Sequence, residues 1–507
     1  MSAKRRVDRT RGPFAWALIV ACCAALSIGL AAADQWIEVK SAHFTIISNA
    51  NERSTRKLAW QLEQVRSATT ALFSWAKPDL NKPLQVIAVK DENGMRELAP
   101  RYWEERRSVR PASVWVTGAD RHYLAIRTDV EVDDRGTINP YITAYFSYVG
   151  LILDQSIDRD LPLWFQRGFT GVLSNTIVRD DHILLGAPIP WELQILRERP
   201  LFLLPKLLAV TRSSPEATQA NPREVFDAET WAFVHFLMFG EEGKRAPQLN
   251  AYAKTVSTGT DHATAFAETL GPVEALEGPF RAYIQRSLFS FRRINLDVSV
   301  ERERFPVRQM PPAESASARA LFHAAMRRPV ESRAAIAEAR KADAKAADSY
   351  VAEGLLFDLE DKDLEAKAAF ASAADLGSTN AYGYYRLASL VWQPRPGRET
   401  LVEIEKHLTK AVELNSRYAR AYAWLGEVKA FLETGDSIGL IQRAIKLEPM
   451  EPSHRLRAAT VLLRQGKRPE ARVQAQAALT LATSDDERRE AQALLAEISK
   501  AGEERPR

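Results

Sequence analysis

The residues able to bind a metal or act as nucleophiles are few in this sequence, and they stand far apart. Its eight histidines are His43, His122, His182, His235, His262, His323, His407 and His454. None has a second histidine within five positions, whereas the two histidines of a helical zinc site stand four residues apart. The sequence also lacks glycine-rich phosphate loops and the G-x-S-x-G motif of serine hydrolases. Because these motifs are absent, we expect neither a nucleotide cofactor nor serine hydrolase chemistry.

Two of these histidines have informative surroundings. His235 follows Trp231 by four residues on an apolar helical face. This position favours a hydrogen-bonded core histidine over a metal ligand. His122 precedes a run of strand-type residues, and we expect it to be exposed on that strand.

Four stretches between residues 118 and 237 resemble one known family. They are residues 118–127, residues 139–141 (Asn-Pro-Tyr), residues 161–165 (Leu-Pro-Leu-Trp-Phe) and residues 226–237. Together they resemble the peptidase MA-like (gluzincin) family of bacterial zinc peptidases, over roughly residues 36–290. The resemblance implies an α+β fold in which a His-Glu-x-x-His helix supplies two zinc ligands and the general base. A following helix supplies the third ligand.

The positions that correspond to this zinc site have all changed. Phe146 and Gly150 stand where the resemblance places the two histidines, Ser147 replaces the glutamate, and Arg167 replaces the third ligand. Phenylalanine and glycine side chains offer no lone pair, and a guanidinium repels a dication. We therefore expect an inactive peptidase-like domain with no catalytic residue, no metal and no cofactor.

The elements that would position this site lie in residues 34–295, which read as a mixed α and β domain. Strand-type residues occur near residues 36–47, 84–89, 113–117 and 123–127, and the chain becomes helical after Pro140. The family resemblance implies that the last of these strands, residues 123–127, is an edge that accepts a peptide by strand addition; a capped edge without a ligand is the alternative. Prolines in residues 296–314 favour a linker between two domains.

Residues 315–500 repeat themselves at a nearly fixed period. Small residues that close each unit are Ala339, Ala373, Ala411, Ala444 and Ala478. Four intervals close to 34 residues, with aromatic and small residues at matching places, are typical of tetratricopeptide (TPR) repeats. We predict an all-α TPR solenoid of about five helix pairs, with an insertion at residues 394–397. Residues 501–507 read as a polar tail. A plain Ala-rich helical bundle is the alternative.

The N-terminus reads as a secretion signal over residues 1–33. A basic start precedes an apolar stretch at residues 14–30, which contains both cysteines, Cys22 and Cys23, and three alanines follow. We expect an exported protein, periplasmic or extracellular, without disulfides. An uncleaved anchor over residues 14–30 is the alternative, and membrane attachment is expected only in that case.

Charge excludes another class of partner. Residues 1–33 carry five basic residues and one aspartate, which accounts for the whole formal charge of +4. The remainder is balanced, whereas a nucleic-acid-binding protein needs a cationic surplus. We therefore expect no nucleic-acid partner.

The predicted partner site lies on the concave side of the solenoid, where the first helix of each pair is exposed. The candidate residues are Tyr382, Tyr385, Trp392, Arg420 and Glu427. Large aromatic residues beside arginine are the types that anchor protein interfaces. The alternative is that these aromatics pack between repeats, although Tyr384 and Leu387 are already expected to do so.

These observations favour an exported interaction scaffold that binds a protein or peptide. Two alternatives stay open. One is a hydrolase of the metallopeptidase family with a non-standard site, which the fold resemblance alone supports. The other is a structural component of the cell envelope held by the N-terminal segment.

Overall fold

A computed structural model describes residues 35–104, 110–131, 138–157, 161–295 and 301–503. The predicted signal segment, with Cys22 and Cys23, and most of the predicted tail lie outside these residues. Within the described ranges, no helix is both long enough and apolar enough to cross a bilayer.

A six-stranded sheet forms the centre of the N-terminal domain. Its strands are β1 (Ile37–Lys40), β2 (Thr45–Ser48), β3 (Leu84–Val89), β4 (Ser113–Thr117), β5 (His122–Arg127) and β9 (Val307–Gln309), in the spatial order β4-β5-β3-β2-β1-β9. Strand β3 runs parallel to β2 and β5, and the other pairs are antiparallel.

Two predictions about this sheet differ from the structure. Strand β5 lies between β3 and β4 and pairs with both, so the predicted edge at residues 123–127 was wrong. Its backbone is already hydrogen-bonded on both sides and cannot accept a further strand. Residues 307–309, within the predicted linker, form β9 and pair with β1, so this segment belongs partly to the sheet.

Both faces of the sheet are covered, as the alternation of side chains along each strand requires. On one face Val39, Ile46 and Leu124 pack against helices α1 (Glu52–Leu72) and α4 (Ile142–Ser156). On the other face Ile87 and Tyr123 join a core that continues into the C-terminal helices. The sheet therefore connects the two parts of the molecule.

The rest of the N-terminal domain is largely helical. Its other helices are α2 (Glu92–Leu98), α3 (Arg101–Glu104), α5 (Leu163–Ser174), α6 (Pro190–Glu198), α7 (Leu204–Ala209), α8 (Pro215–Thr218), α9 (Ala220–Phe239), α10 (Ala246–Ser257), α11 (His262–Leu270) and α12 (Val273–Ile284). Strands β6 (Ile177–Val178), β7 (His182–Leu185) and β8 (Arg292–Asn295) form a small second sheet. An aromatic core that includes Trp164, Phe165 and Phe233 joins α5 to α9.

Five helix pairs and one further helix form the C-terminal part. They are α13 (Pro312–Ala325) with α14 (Pro329–Ala342), α15 (Ala347–Leu359) with α16 (Asp363–Asp375), α17 (Ala381–Val391) with α18 (Arg398–Leu414), α19 (Ala419–Leu432) with α20 (Ser437–Leu447), α21 (Pro452–Arg464) with α22 (Arg468–Leu481), and then α23 (Asp485–Glu503).

The predicted repeat is confirmed by this arrangement. The five closing alanines are buried on the second helices, from Ala339 to Ala478. Their small size lets the paired helices approach closely. The first helix begins at Pro312, three residues before the predicted boundary. The predicted insertion at residues 394–397 lies in the turn between α17 and α18.

Candidate functional site

The positions that correspond to the zinc motif lie between α4, α5 and α9. The Arg167 guanidinium stands over the Phe146 ring, with 5.9 Å from its carbon to the ring centroid. Its Nε lies 3.9 Å from Oδ1 of Asp227. Gly150 faces Thr170 on the neighbouring helix, and Ser147 is half-buried. The Arg167 guanidinium therefore lies between an aromatic ring and a carboxylate.

Within the described residues, the carboxylates near this position do not form a metal site. In the described part of the chain, no group of three or more His, Cys, Asp or Glu side chains could hold a metal ion. Burial, together with the charge of Asp227, raises the pKa of Glu192 to about 7. Burial also raises the pKa of Asp227. These two acids titrate unusually, but no histidine or third acid completes a ligand set with them in the residues that the structure describes.

His235 is a core residue, as predicted. Its Nδ1 lies 2.7 Å from the Tyr283 hydroxyl and its Nε2 lies 2.8 Å from the Gly186 carbonyl. Burial lowers its pKa to about 4. The prediction that His122 is exposed was wrong. It is buried beside Trp115, and its Nδ1 contacts the Thr117 hydroxyl at 3.0 Å, because β5 is an interior strand.

A groove of about 460 Å³ opens along the first helices of the solenoid, the side that solenoid curvature is expected to make concave, and is called the concave groove below. The residues that line it lie on α23 and on, or directly next to, the first helices of three successive pairs. Those helices are α17, α19 and α21. Trp392 and Trp424 meet edge to face with ring centroids 5.9 Å apart. Trp392 stays 37% exposed, so part of its ring is free to contact a ligand.

Charged side chains flank these two tryptophans. Arg457 forms an ion pair with Glu427, and its guanidinium carbon lies 6.0 Å from the Trp424 ring centroid. Burial lowers the pKa of Arg457. Glu490, from α23, is exposed at the end of the groove and has no ion pair within the described residues. The groove thus combines an aromatic wall with one arginine and two carboxylates, because Arg457 also interacts electrostatically with Glu490.

The five predicted partner-binding residues do not share one site. Trp392 and Glu427 line the concave groove. Tyr382, Tyr385 and Arg420 line a different cavity, where the solenoid meets two loops of the sheet domain. The sequence could not show this division, because it depends on how the two domains pack.

Solved structures similar to this chain include TPR proteins. YrrB, a TPR protein with an unusual peptide-binding site, is 19% identical; the match covers 37% of this chain and 92% of YrrB, with a TM-score of 0.30. PilF of Pseudomonas aeruginosa is 16% identical; the match covers 38% of this chain and 85% of the PilF chain, with a TM-score of 0.30. TTC0263, a TPR protein of Thermus thermophilus, is 20% identical over 36% of this chain and 99% of its own, with a TM-score of 0.26.

The C-terminal part of the chain is a TPR-type solenoid by its own helix pairs and buried closing alanines. With TM-scores of 0.30 or less, the assignment depends on the chain's own helix pairs and buried closing alanines rather than on overall likeness. No protein-family model matches the chain, and a search of curated proteins finds no match.

Sequence reasoning missed Trp424, Leu456, Arg457 and Glu490, which also line the groove. A usable signal existed for one of them. Trp424 stands three residues before Glu427 on α19, and residues three apart share a helix face. The contribution of α23 had no such signal, because that helix lies beyond the last closing alanine.

Proposed function

We propose that this protein is an interaction scaffold whose solenoid binds a segment of a partner protein in the concave groove. The observation that carries the proposal is the exposed ring of Trp392, which stands beside Trp424 in a groove built from successive repeats. A partly exposed tryptophan in a concave surface is the usual anchor of a protein interface. The TPR character of the solenoid supports a binding role rather than catalysis.

The groove's chemistry restricts the partner segment. Trp392, Trp424 and Leu456 offer an apolar surface for one large apolar or aromatic side chain. Arg457 interacts with two carboxylates, those of Glu427 and Glu490, so the charged residues of the groove carry a net charge of −1. A segment with an apolar anchor and a neighbouring lysine or arginine complements this arrangement.

We further propose that the N-terminal domain is a peptidase-like domain without catalytic activity. Phe146, Ser147, Gly150 and Arg167 at the motif positions support this proposal. Elemental analysis of the purified protein after dialysis is expected to find no stoichiometric zinc. One zinc per chain, with proteolysis that a chelator abolishes, contradicts the proposal and favours the hydrolase alternative.

Export completes the proposal, supported by the basic and apolar pattern of residues 1–33. The protein is then periplasmic or extracellular, and its mature form begins at Asp34. N-terminal sequencing of the protein from its native cells tests this. A membrane-bound form that retains Lys4 and Arg9 favours the anchored alternative.

The binding proposal is tested with short random peptides displayed on phage and selected on the purified chain. The affinity of a selected peptide is then measured by fluorescence anisotropy for the wild type and for Trp392→Ala. Truncating an aromatic anchor costs about 2 kcal/mol, which corresponds to roughly a thirtyfold loss of affinity. Glu490→Gln is expected to weaken only peptides that carry a cationic residue.

Trp191→Ala is the matched control, because Trp191 is 43% exposed but lies in the N-terminal domain, on α6. We expect this variant to bind the selected peptides as the wild type does. If every selected peptide binds Trp392→Ala with unchanged affinity, the concave groove is not the partner site.

A further inference from the structure

A second cavity, of about 410 Å³, lies at the junction of the two domains. One wall is formed by two loops of the sheet domain, residues 81–83 and 119–121. The other wall is formed by the N-terminal ends of α17 and α19 and by the loops that precede them. The cavity shares no lining residue with the concave groove. It is therefore a separate candidate site.

Direct contacts between the domains fix the shape of this cavity. The Asn380 side chain donates to Oδ2 of Asp120 at 2.9 Å, and the Asn415 side chain donates to the Asn81 carbonyl at 3.2 Å. The Asn81 side chain in turn donates to the Leu447 carbonyl at 3.0 Å. These bonds hold the loops against the solenoid, so the space is bounded by both domains. Such a space fits a compact molecule better than an extended chain.

The lining carries a surplus of positive charge. Four cationic side chains, Lys82, Arg121, Arg417 and Arg420, face two acidic ones, Asp120 and Glu448. Arg121 pairs with Asp120 at 2.8 Å. The nearest described carboxylate to Arg420 is that of Glu451, at 3.9 Å. Arg417 has no ion pair within the described residues, so its charge is not compensated there.

Two polar groups of the lining lack a partner. Nε of Arg417 and Oδ1 of Asn81 are buried without a hydrogen bond in the described part of the chain. Buried donors and acceptors are nearly always satisfied in native proteins, so each such group needs an explanation. Tyr385 and Tyr418 also line the cavity. Their rings lie 5.1 Å apart and form an aromatic side of the cavity.

We propose that this cavity binds a small organic anion. Its carboxylate or phosphate group meets the Arg417 guanidinium, and an apolar or aromatic body packs against Tyr385 and Tyr418. The volume lies within the range of small-molecule sites, and convergent polar groups on an aromatic wall are characteristic of such sites. Arginine is the side chain best suited to both anionic groups, because its planar fork matches their oxygens.

Four probes test the proposal on the purified full chain, by calorimetric titration and thermal unfolding. Phenyl phosphate and phenylacetate carry the two anionic groups on the same ring, benzyl alcohol is the neutral analogue, and inorganic phosphate has no ring. We expect at least one aromatic anion to bind saturably with one site per chain and to raise the melting temperature. Whichever of the two anions binds more tightly shows whether the site prefers a phosphate or a carboxylate group. Benzyl alcohol and inorganic phosphate are expected to bind at least tenfold more weakly, since each lacks one half of the interaction.

Variants locate the site. Arg417→Gln removes the charge and is expected to weaken binding about tenfold or more, whereas Arg417→Lys restores part of the loss. Arg420→Gln, at a mostly exposed residue that should not affect folding, is expected to weaken binding severalfold. Arg398→Ala, an exposed arginine at the start of α18, is the control and leaves binding unchanged.

Two results overturn the proposal. One is the absence of saturable binding for both aromatic anions at millimolar concentration. The other is binding that Arg417→Gln and Arg420→Gln leave unchanged, because the anion then sits elsewhere. Neither result affects the partner-binding proposal, whose test depends on Trp392 in a separate groove.

Discussion

The side-chain amide of Asn380, in the solenoid, donates a hydrogen bond of 2.9 Å to the carboxylate of Asp120, in the sheet domain. The same carboxylate accepts a hydrogen bond from the Tyr123 hydroxyl at 2.9 Å and pairs with Arg121. The Asp120 side chain is fully buried. A buried carboxylate is tolerated only where several donors satisfy it. Asp120 is thus the polar centre of the domain junction.

We therefore expect Asp120→Ala to destabilise the protein strongly. It leaves Arg121 without its carboxylate and Asn380 without its acceptor, and breaking a buried pair in this way costs about 3–5 kcal/mol. Asn380→Ala is expected to cost about 2–3 kcal/mol, because its side chain also accepts a hydrogen bond from the Tyr382 amide at 3.0 Å and caps α17. Urea unfolding followed by circular dichroism measures both. The control is Asp486→Ala, which breaks an exposed pair with Arg489 and should cost under about 1 kcal/mol. Equal losses for Asp120→Ala and Asp486→Ala contradict this role of Asp120.

The solenoid could be predicted from the sequence because its stability comes from contacts between neighbouring repeats. Each unit needs a small residue where its helices cross, and this need recurs at the repeat period. The closing alanines Ala339 and Ala373 are buried as that logic requires. Tyr384 and Leu387 are likewise buried, so their predicted packing role is confirmed.

The sheet and the site were harder to predict because they depend on contacts distant in sequence. Strand β9 pairs with β1 across most of the N-terminal domain, and residues 307–309 show too short a pattern to reveal this. His122 is buried because β4 covers β5, which the local sequence does not show. Tyr382 was assigned to the concave surface on repeat position alone. The loop that carries Asp120 places it instead beside the domain junction.

A second prediction concerns the close approach of α5 to α9. A Cβ on Gly168 would lie against the Thr230 carbonyl and 2.5 Å from Cγ2 of Val234. Since backbone atoms cannot move aside cheaply, Gly168→Ala is expected to cost about 1–3 kcal/mol. Gly171→Ala, on the same helix, is the control. Its Cβ would meet Trp231 at 3.5 Å, an ordinary contact, and alanine favours the helix. Thermal and urea unfolding compare the variants, and equal stability of the two contradicts the close approach.

A third prediction concerns the pH dependence of His235. Its pKa is lowered to about 4 in the folded protein, against about 6.5 in the unfolded chain. Between these values the unfolded chain binds a proton that the folded protein does not, so this contribution to stability is complete above pH 6.5. It is lost as the pH falls toward about 4, by roughly 3 kcal/mol in total. Glu192 and Glu229 have the opposite effect on stability. Burial raises the pKa of each to about 7, so their contribution to stability decreases as the pH rises.

The contribution of His235 is therefore measured as a difference between two proteins. His235→Gln keeps a polar side chain but cannot titrate. The wild type is expected to be the more stable at about pH 7, and its advantage should shrink by about 2–3 kcal/mol by about pH 4.5, since the glutamates act equally in both. Urea unfolding at several pH values measures this gap. If the difference in unfolding free energy between the two proteins stays constant over that pH range, the pKa of the buried imidazole is not lowered.

The last prediction separates the two roles, repeat packing and partner binding, that are open to the aromatic residues on α17 and directly after it. Tyr385 packs against Tyr418 and against Trp424, with ring centroids 5.1 and 5.7 Å away, and is half-buried. Trp392 touches only Trp424 among the described aromatic rings, and it stays partly exposed. Tyr385→Ala is therefore expected to lower the free energy of unfolding by about 2 kcal/mol, less than truncating a fully buried aromatic residue costs, because Tyr385 is half-buried. Trp392→Ala should lower it by under about 1 kcal/mol.

For binding of the selected peptides in the groove, the two substitutions should rank in the opposite order, with Trp392→Ala causing the larger loss of affinity. Trp392→Ala removes the anchor while the fold persists, so affinity falls although the melting temperature barely changes. Tyr385→Ala removes repeat packing, so the melting temperature falls while peptide affinity per folded molecule changes little. Calorimetric unfolding and fluorescence anisotropy on the same preparations resolve the two effects. If Trp392→Ala unfolds as easily as Tyr385→Ala and its folded fraction binds peptide normally, Trp392 serves repeat packing. Its assignment to the partner site is then wrong.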